Sequence, residues 1–499
     1  MKKSIFEPLF HPENNRFLAG CIFAICLLTY GGHAYYMNFN ADDVIQIQSV
    51  SNDSLTYLSQ GRWGLYLIFH VVQGDNPGGL FSLGLAVVLM MLTGMVGARV
   101  LGIKSVAVML FFTLFSAVSL YYGQLFSYQL TWVAFTFGVF LSVCGVYLAV
   151  TRAKWLPATV LLGLAPAFYQ PTIEVAVVLF VGALIFQIGD VGARDIIRRA
   201  IYYAAIVVAS SALYVVTTKI SPYISGVPLG GRSSIDFIQA LKSFDRIIDL
   251  FLNQSVPFNS GKVDPYFSDI YRVVLTVSFL FYIFCFLISR NRRSVSSLAL
   301  FLVFNLVLVV APYFLAFASP ADTFSTRSLI AFSFVHAIYL IYPIHQWILA
   351  SPEREGGGKV LLAQSSLVLG FAFVLISGWQ VAKLSFDNAL ASQQDLLAVN
   401  RIISRIDDVL QDSAMASESS ICIAVNFNTP TSAGPRGFAG TARATPWSKE
   451  WIFRLVDNRF IPAEPGKKEE LLVQSASKPK WPARGSVYTD LGCIVVNVN

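Results

Sequence analysis

Long apolar runs separated by short charged loops fill the chain up to about residue 383. Eleven runs predict membrane spans, at 17–37, 79–99, 105–121, 130–150, 155–169, 172–188, 201–218, 273–289, 297–317, 328–348 and 359–383. Most have transmembrane rather than core-helix length. The runs at 155–169 and 172–188 are short for a bilayer and meet at Tyr169-Gln170-Pro171. Proline pushes the residue before it out of helical geometry. The pair therefore predicts a tight re-entry at the membrane surface, with one broken long segment as the alternative.

Beyond residue 383 the pattern changes. Leu396, Val399, Ile402, Ile403, Ile406 and Leu410 fall on one face of an amphipathic helix. Apolar runs at Ile421–Val425 and Cys493–Val498 then read as strands, with Pro, Gly and Ser punctuating 429–449 and 475–486. The predicted architecture is an α-helical polytopic membrane protein of about eleven spans with a small C-terminal α/β domain. Its divisions are a membrane domain over 1–383, with long outer loops at 38–78 and 219–272, and an outer domain over 384–499. There is no internal repeat.

Charge fixes the orientation. Lys2, Lys3 and Arg16, Arg99 and Lys104, Arg152 and Lys154, Arg194, Arg198 and Arg199, Arg290, Arg292 and Arg293, and Arg354 and Lys359 occupy one alternating set of loops. The other set of short loops carries little beyond Arg62 and Arg327. The positive-inside rule then puts the N-terminus in the cytoplasm and, with an odd span count, the C-terminal domain outside. In a Gram-negative cell this is a multi-pass inner-membrane protein with a periplasmic domain. The formal charge of +7 follows from that bias and gives no reason to expect nucleic acid. Hydrophobic residues make up 55% of the 499 and charged ones 13%, against nearer a quarter in soluble domains, so little chain remains for a large soluble enzyme. Active chemistry is expected at the membrane face. Met1-Lys2-Lys3 lacks the features of a cleaved signal peptide, and the first apolar run is expected to stay as a helix.

Carboxylates near the outer face are few: Asp42, Asp43, Asp53, Asp75, Glu174 and Asp322. Asp42-Asp43 lies just after the first span, where partial desolvation would raise a carboxylate's pKa and improve it as a base. The alternative is a solvated loop with an aspartate capping a helix near Val44. Arg62 and Arg327 could grip phosphate oxygens bidentately at this depth, or snorkel to headgroups. Trp63 with Tyr66, Tyr121, Tyr122, Gln124, Tyr128 with Gln129, and Tyr169 with Gln170 form a recurring polar-aromatic set suited to sugar hydroxyls and ring faces, although interfacial aromatics are common in membrane proteins. Glu174, a turn inside its span, is an ionisable group at depth. His336, midway along the tenth span, reads as a packing histidine. Cys21, Cys26, Cys144 and Cys285 lie in spans, whereas Cys422 and Cys493 lie in predicted outer strands and form a candidate disulfide. No cysteine or histidine spacing suggests zinc, no cofactor is called for, and a divalent metal is left open.

Taken together, Tyr35-Tyr36 leading to Asn40-Ala41-Asp42-Asp43, Gln60-Gly61-Arg62-Trp63-Gly64, Phe126-Ser127-Tyr128-Gln129, Tyr169-Gln170-Pro171 and the stalk around Asn400-Arg401-Ile402 resemble the bacterial and phage glucosyltransferases that modify O-antigen and change serotype, a family of GT-C architecture. The likeness covers roughly 15–410. It implies an inverting transferase that moves glucose, or a similar hexose, from an undecaprenyl-phosphate carrier to O-antigen lipopolysaccharide or a related surface glycan. It also implies Asp42 or Asp43 as the base, the choice being open, and Arg62 or Arg327 as the clamp on the donor phosphate; the residue types themselves make Trp63, Tyr128, Gln129, Tyr169, Gln170 and Glu174 the candidates for sugar or acceptor contact. The rival is a polytopic transporter or lipid-linked-sugar flippase. Transporters favour related halves and midplane charges; this chain has no repeat, and its ionisable groups gather at the outer face.

Overall fold

The computed structural model describes residues 11–35, 43–45, 54–73, 79–230, 245, 248, 251–252, 254, 266–288, 294–315, 326–346, 357–411, 420–426 and 448–498. The chain divides into two compact units, one of 1–31, 55–126 and 131–382, the other of 32–54, 127–130 and 383–499.

The first unit is helical. Its elements are α1 (Asn15–Tyr35, as far as residue 31), α2 (Ser54–Ser59), α3 (Trp63–Tyr66), α4 (Gly79–Val100), α5 (Val106–Ala117), α6 (Leu120–Phe126), α7 (Trp132–Arg152), α8 (Trp155–Phe168), α9 (Thr172–Gln187), α10 (Ala193–Ser225), α11 (Asp269–Ile288), α12 (Val295–Val310), α13 (Ala331–Ile344) and the first half of α14 (Gly357–Gln411). Among the described residues seven helices are long and apolar enough to cross a membrane, eight if the bent pair α5 and α6 is one span. The shorter apolar helices α8, α9 and α13 account for the remaining three predicted runs.

The structure departs from the apolar pattern in three places. The run at 105–121 is two helices that meet at 57°. The interrupted hydrogen-bond ladder is sealed by the Tyr30 hydroxyl, which donates to the Ala117 carbonyl at 2.5 Å and accepts from the Ser119 amide at 3.2 Å. Helix α10 runs for 33 residues, well past both ends of its predicted span, and brings Tyr214 and Thr218 against residue 61. Helix α3 continues into a π-helical turn at Leu67–Val72, an apolar element within the loop predicted at 38–78, too short to register as a span.

Packing in this unit depends on small residues where helices cross closely. A Cβ on Gly94 would stand 2.6 Å from the Thr113 Cα, so α4 and α5 can approach this closely only with glycine there. Every residue of α13 is buried, as expected of a helix that is apolar all round. His336 sits among the rings of Tyr121, Tyr271, Phe332 and Phe373, the packing role read from the sequence.

The second unit is built on the C-terminal half of α14 and a four-stranded sheet of β1 (Ile421–Asn426), β2 (Phe460–Pro462), β3 (Val487–Asp490) and β4 (Cys493–Asn497), in the order β2-β1-β4-β3. Strand β1 is parallel to β2 and β4, and β3 is antiparallel to β4. Helices α15 (Trp451–Val456) and α16 (Pro465–Ser475) complete the unit. Strand alternation sorts the core into two faces. Ile421, Ile423, Val425, Val487, Ile494 and Val496 pack with Val399, Ile402, Ile403, Ile406 and Leu410 of α14, the face predicted from spacing, with Leu396 at its edge. Ala424, Cys493 and Val495 face Leu471 of α16. Val44, from the segment that follows α1, is buried in the α14-side core. Cys422 and Cys493 stand opposite each other on β1 and β4 and are disulfide-bonded.

Candidate active site

The described site residues are divided between the two units. In the membrane unit the Gln60–Gly64 stretch makes the turn between α2 and α3. Gly61 has φ +74°, which favours glycine, and a Cβ there would lie 2.8 Å from Thr218 Cγ2. Gly64 likewise leaves room for the Phe168 ring, 3.0 Å from where its Cβ would be. The Tyr214 hydroxyl donates to the Gly61 carbonyl at 3.3 Å, pinning the turn to α10. Both glycines thus serve to place Arg62 and Trp63.

Arg62 donates through Nε to the Gln170 Oε1 at 2.6 Å, and the Gln170 amide nitrogen donates back to the Gln60 carbonyl at 3.1 Å. Tyr169 and Gln170 lie in the break between α8 and α9, where Tyr169 is extended. The Tyr169 ring stacks on Phe135 at 4.3 Å, and its hydroxyl donates to the Arg327 carbonyl at 2.6 Å. Arg327 lies on the 3-10 turn Thr326–Leu329. One network therefore joins Arg62, Gln170, Tyr169 and the Arg327 backbone across 265 residues of sequence. Burial, and next the positive charge of Arg327, lower the pKa of Arg62 in its loop. No carboxylate pairs with Arg62 among the described residues, and its two Nη nitrogens are left to meet another group. The Trp63 indole N–H is buried without a partner among those residues.

Glu174, at the start of α9, is 1% exposed. Its Oε1 accepts from the Leu315 amide at 2.7 Å, while Oε2 is buried and unpartnered among the described residues. Its partner is thus backbone, not the Tyr or Gln that a purely local network would provide. Glu174 stands at an apolar cavity of about 920 Å³ lined by α9, α10 and α12, including Ile173, Val181, Tyr203, Val207 and Phe304.

In the second unit residues 43–45 form a helical turn in which Asp43 is buried. The Asp43 Oδ2 accepts from the Gln129 amide at 3.3 Å, and the Gln129 side chain donates to the His33 carbonyl at 2.7 Å. Tyr128 is buried beside Gln129 in sequence, and Ser127 accepts from Asn388 of α14 at 3.0 Å. Asp42 lies outside the described residues, so the choice between the two aspartates stays open. The site reading from sequence passed over Tyr214, Asn388 and His33. His33, buried in the last turn of α1 with both ring nitrogens unpartnered among the described residues, carried a signal, being ionisable and at the end of an apolar run. Tyr214 and Asn388 carried none, because each acts through a contact distant in sequence. Among the described residues no group of three or more His, Cys, Asp or Glu could hold a metal.

A model of the family described as glucosyl transferase GtrII matches residues 35–338, more than half of the 499. The chain belongs to the GtrII glucosyl transferase family. The GtrII match contains every site residue named from sequence, from Asp42 to Arg327, and ends before the sheet of the second unit. Among solved structures, this GtrII-family chain is similar to an Archaeoglobus fulgidus oligosaccharyltransferase tethered by a disulfide bond to an acceptor peptide containing the NVT sequon. That similarity has a TM-score of 0.44 and 10% identity, over 92% of this chain and 65% of the other. No curated protein matches the chain significantly.

Proposed function

We propose that this GtrII-family protein is an inverting glycosyltransferase of GT-C type. It moves glucose, or a similar hexose, from undecaprenyl phosphate to O-antigen or a related surface glycan at the periplasmic face of the inner membrane. The observation that supports this most is Arg62. A half-buried cation, beside a second cation and with no carboxylate of its own among the described residues, calls for an anion. A lipid-linked sugar phosphate brings one to this depth, and its prenyl chain suits the apolar cavity at α9, α10 and α12.

In this reading Asp42 or Asp43 takes the proton of the acceptor hydroxyl as its oxygen attacks the anomeric carbon. The bond from that carbon to the phosphate oxygen breaks, and its electron pair leaves with the phosphate. No strong acid is needed, because phosphate leaves well. Arg62 and Arg327 stabilise the charge that grows there, and Trp63, Tyr128, Gln129, Tyr169, Gln170 and Glu174 contact sugar or acceptor.

Membranes containing the protein should transfer radiolabelled glucose from polyprenyl-phosphate glucose to lipopolysaccharide. Lysine keeps the charge but loses the two-pronged contact. Arg62→Lys should therefore raise the apparent KM for donor about tenfold, and Arg62→Ala more, on the scale of a charge-assisted hydrogen bond. Arg327→Lys is tested in the same titration. Wild-type donor kinetics in both lysine variants would remove the phosphate role. For orientation, alkaline phosphatase fused at the C-terminus should be active and a fusion near residue 292 inactive; the reverse would move the site to the cytoplasmic side.

A further inference from the structure

We propose that the C-terminal α/β unit positions Asp43, with Val44 as the anchor that sets the direction of the carboxylate. This rests on the reading of Asp43 as a base, and makes Val44 a positioning residue rather than a catalytic one.

Val44 is fully buried, and its core partners are residues of α14, β1, β3 and β4 at 399 and beyond. The family match ends at 338, so the anchor of its acidic loop comes from chain outside the matched stretch. Residues 43–45 are helical, and successive side chains on a helix point about 100° apart. Seating Val44 in the core therefore fixes where Asp43 points. The carboxylate is also held from its other side. The Gln129 amide meets Oδ2, the Gln129 side chain is tied to the His33 carbonyl, and Ser127 is tied to Asn388 of α14. The segments 32–54 and 127–130 are remote in sequence, and both are counted with the α/β unit. A core contact and a hydrogen-bonded brace thus converge on two adjacent residues. A loop that only linked a span to the next helix would need neither.

The test uses the full-length protein and a matched control. Val44→Ala should lower kcat about tenfold with little change in donor KM, and shift the pH profile of kcat/KM, because a base whose surroundings loosen changes its pKa. Val44→Ile should keep most of the rate, since it leaves the site filled and adds only one methylene. Leu471→Ala opens a cavity on the opposite face of the same sheet. It should destabilise the unit comparably while leaving kcat per folded molecule and the pH profile unchanged. Equal losses from Val44→Ala and Leu471→Ala, or wild-type kinetics in Val44→Ala while Asp43→Asn is inactive, would overturn the positioning role but spare the base. Full activity in Asp43→Asn would overturn the base itself. Hydrogen exchange gives a readout independent of activity. Amides 43–45 should lose protection in Val44→Ala and keep it in Leu471→Ala; unchanged protection in Val44→Ala overturns the proposal even if no transfer is detected.

Discussion

The two units use apolar residues in opposite ways. In the membrane unit large apolar side chains point outward: Leu302 is 60% exposed and Leu306 65%, both on α12. Among its buried polar groups, one network of an amide, a phenol and backbone carbonyls surrounds Arg62. In the second unit apolar residues turn inward onto the sheet, and charges pair with one another. Arg459 bridges Asp457 at 2.6 Å and Asp407 at 3.1 Å, and Lys468 meets Glu450 at 2.8 Å. The difference follows from the solvent. Lipid offers no partner to a polar group, so each must be satisfied internally or by a ligand. Water satisfies polar groups freely, so apolar burial is the main organiser of the second unit. A cation such as Arg62, with no carboxylate partner among the described residues, is therefore informative in the membrane unit, whereas a surface ion pair in the other says little about function.

The contrast can be broken most directly at Asp43, the one described candidate base, which belongs to the second unit. Asp43→Asn should cost about a hundredfold or more in transfer rate while the protein still folds. If it and Asp42→Asn, singly and together, leave transfer intact, the acidic pair has no catalytic role and the chemistry belongs to the membrane unit.

The next largest effect concerns the disulfide. The membrane unit holds its cysteines, Cys21, Cys26, Cys144 and Cys285, as free thiols, and the second unit bridges Cys422 to Cys493 across 71 residues. Replacing both bridged cysteines with serine should lower the stability of the second unit by about 2–4 kcal/mol. In calorimetry of the solubilised protein only that unit's transition should move. A shift shared by the whole protein would show that the units unfold together.

Within the membrane unit Gly61→Ala combines a left-handed backbone with the contact to Thr218. A local cost of about 1–3 kcal/mol is expected. Since Arg62 follows directly, donor KM should rise with it. Normal stability and normal donor KM would mean that the turn relaxes freely.

The smallest effect is electrostatic. Hydrogen bonds from Arg459 hold the Asp457 pKa below its ordinary value. With the folded pKa depressed, the contribution is present above the unfolded carboxylate pKa of about 4 and lost as pH falls through the folded value. The pair is partly exposed, so about 0.5 kcal/mol or less is expected. Asp457→Asn should flatten the stability of the second unit against pH below that value and leave transfer at neutral pH unchanged.

Sequence alone was enough to read the apolar runs that become the long helices and the buried face of the C-terminal helix. Apolar runs and the Leu396–Leu410 periodicity are local signals, and burial in lipid or against a sheet acts on each residue in proportion to its own apolar area. The types of site residue were legible for the same reason, since a cation or carboxylate at an outer membrane surface stands out one residue at a time. Their grouping was not. That Arg62 meets Gln170, that Tyr214 and Thr218 require glycine at residue 61, and that Val44 belongs to the core formed with residues beyond 399 are all contacts between segments far apart in the chain. Such contacts form because distant surfaces pack together, and no window along the sequence contains both sides of the pair.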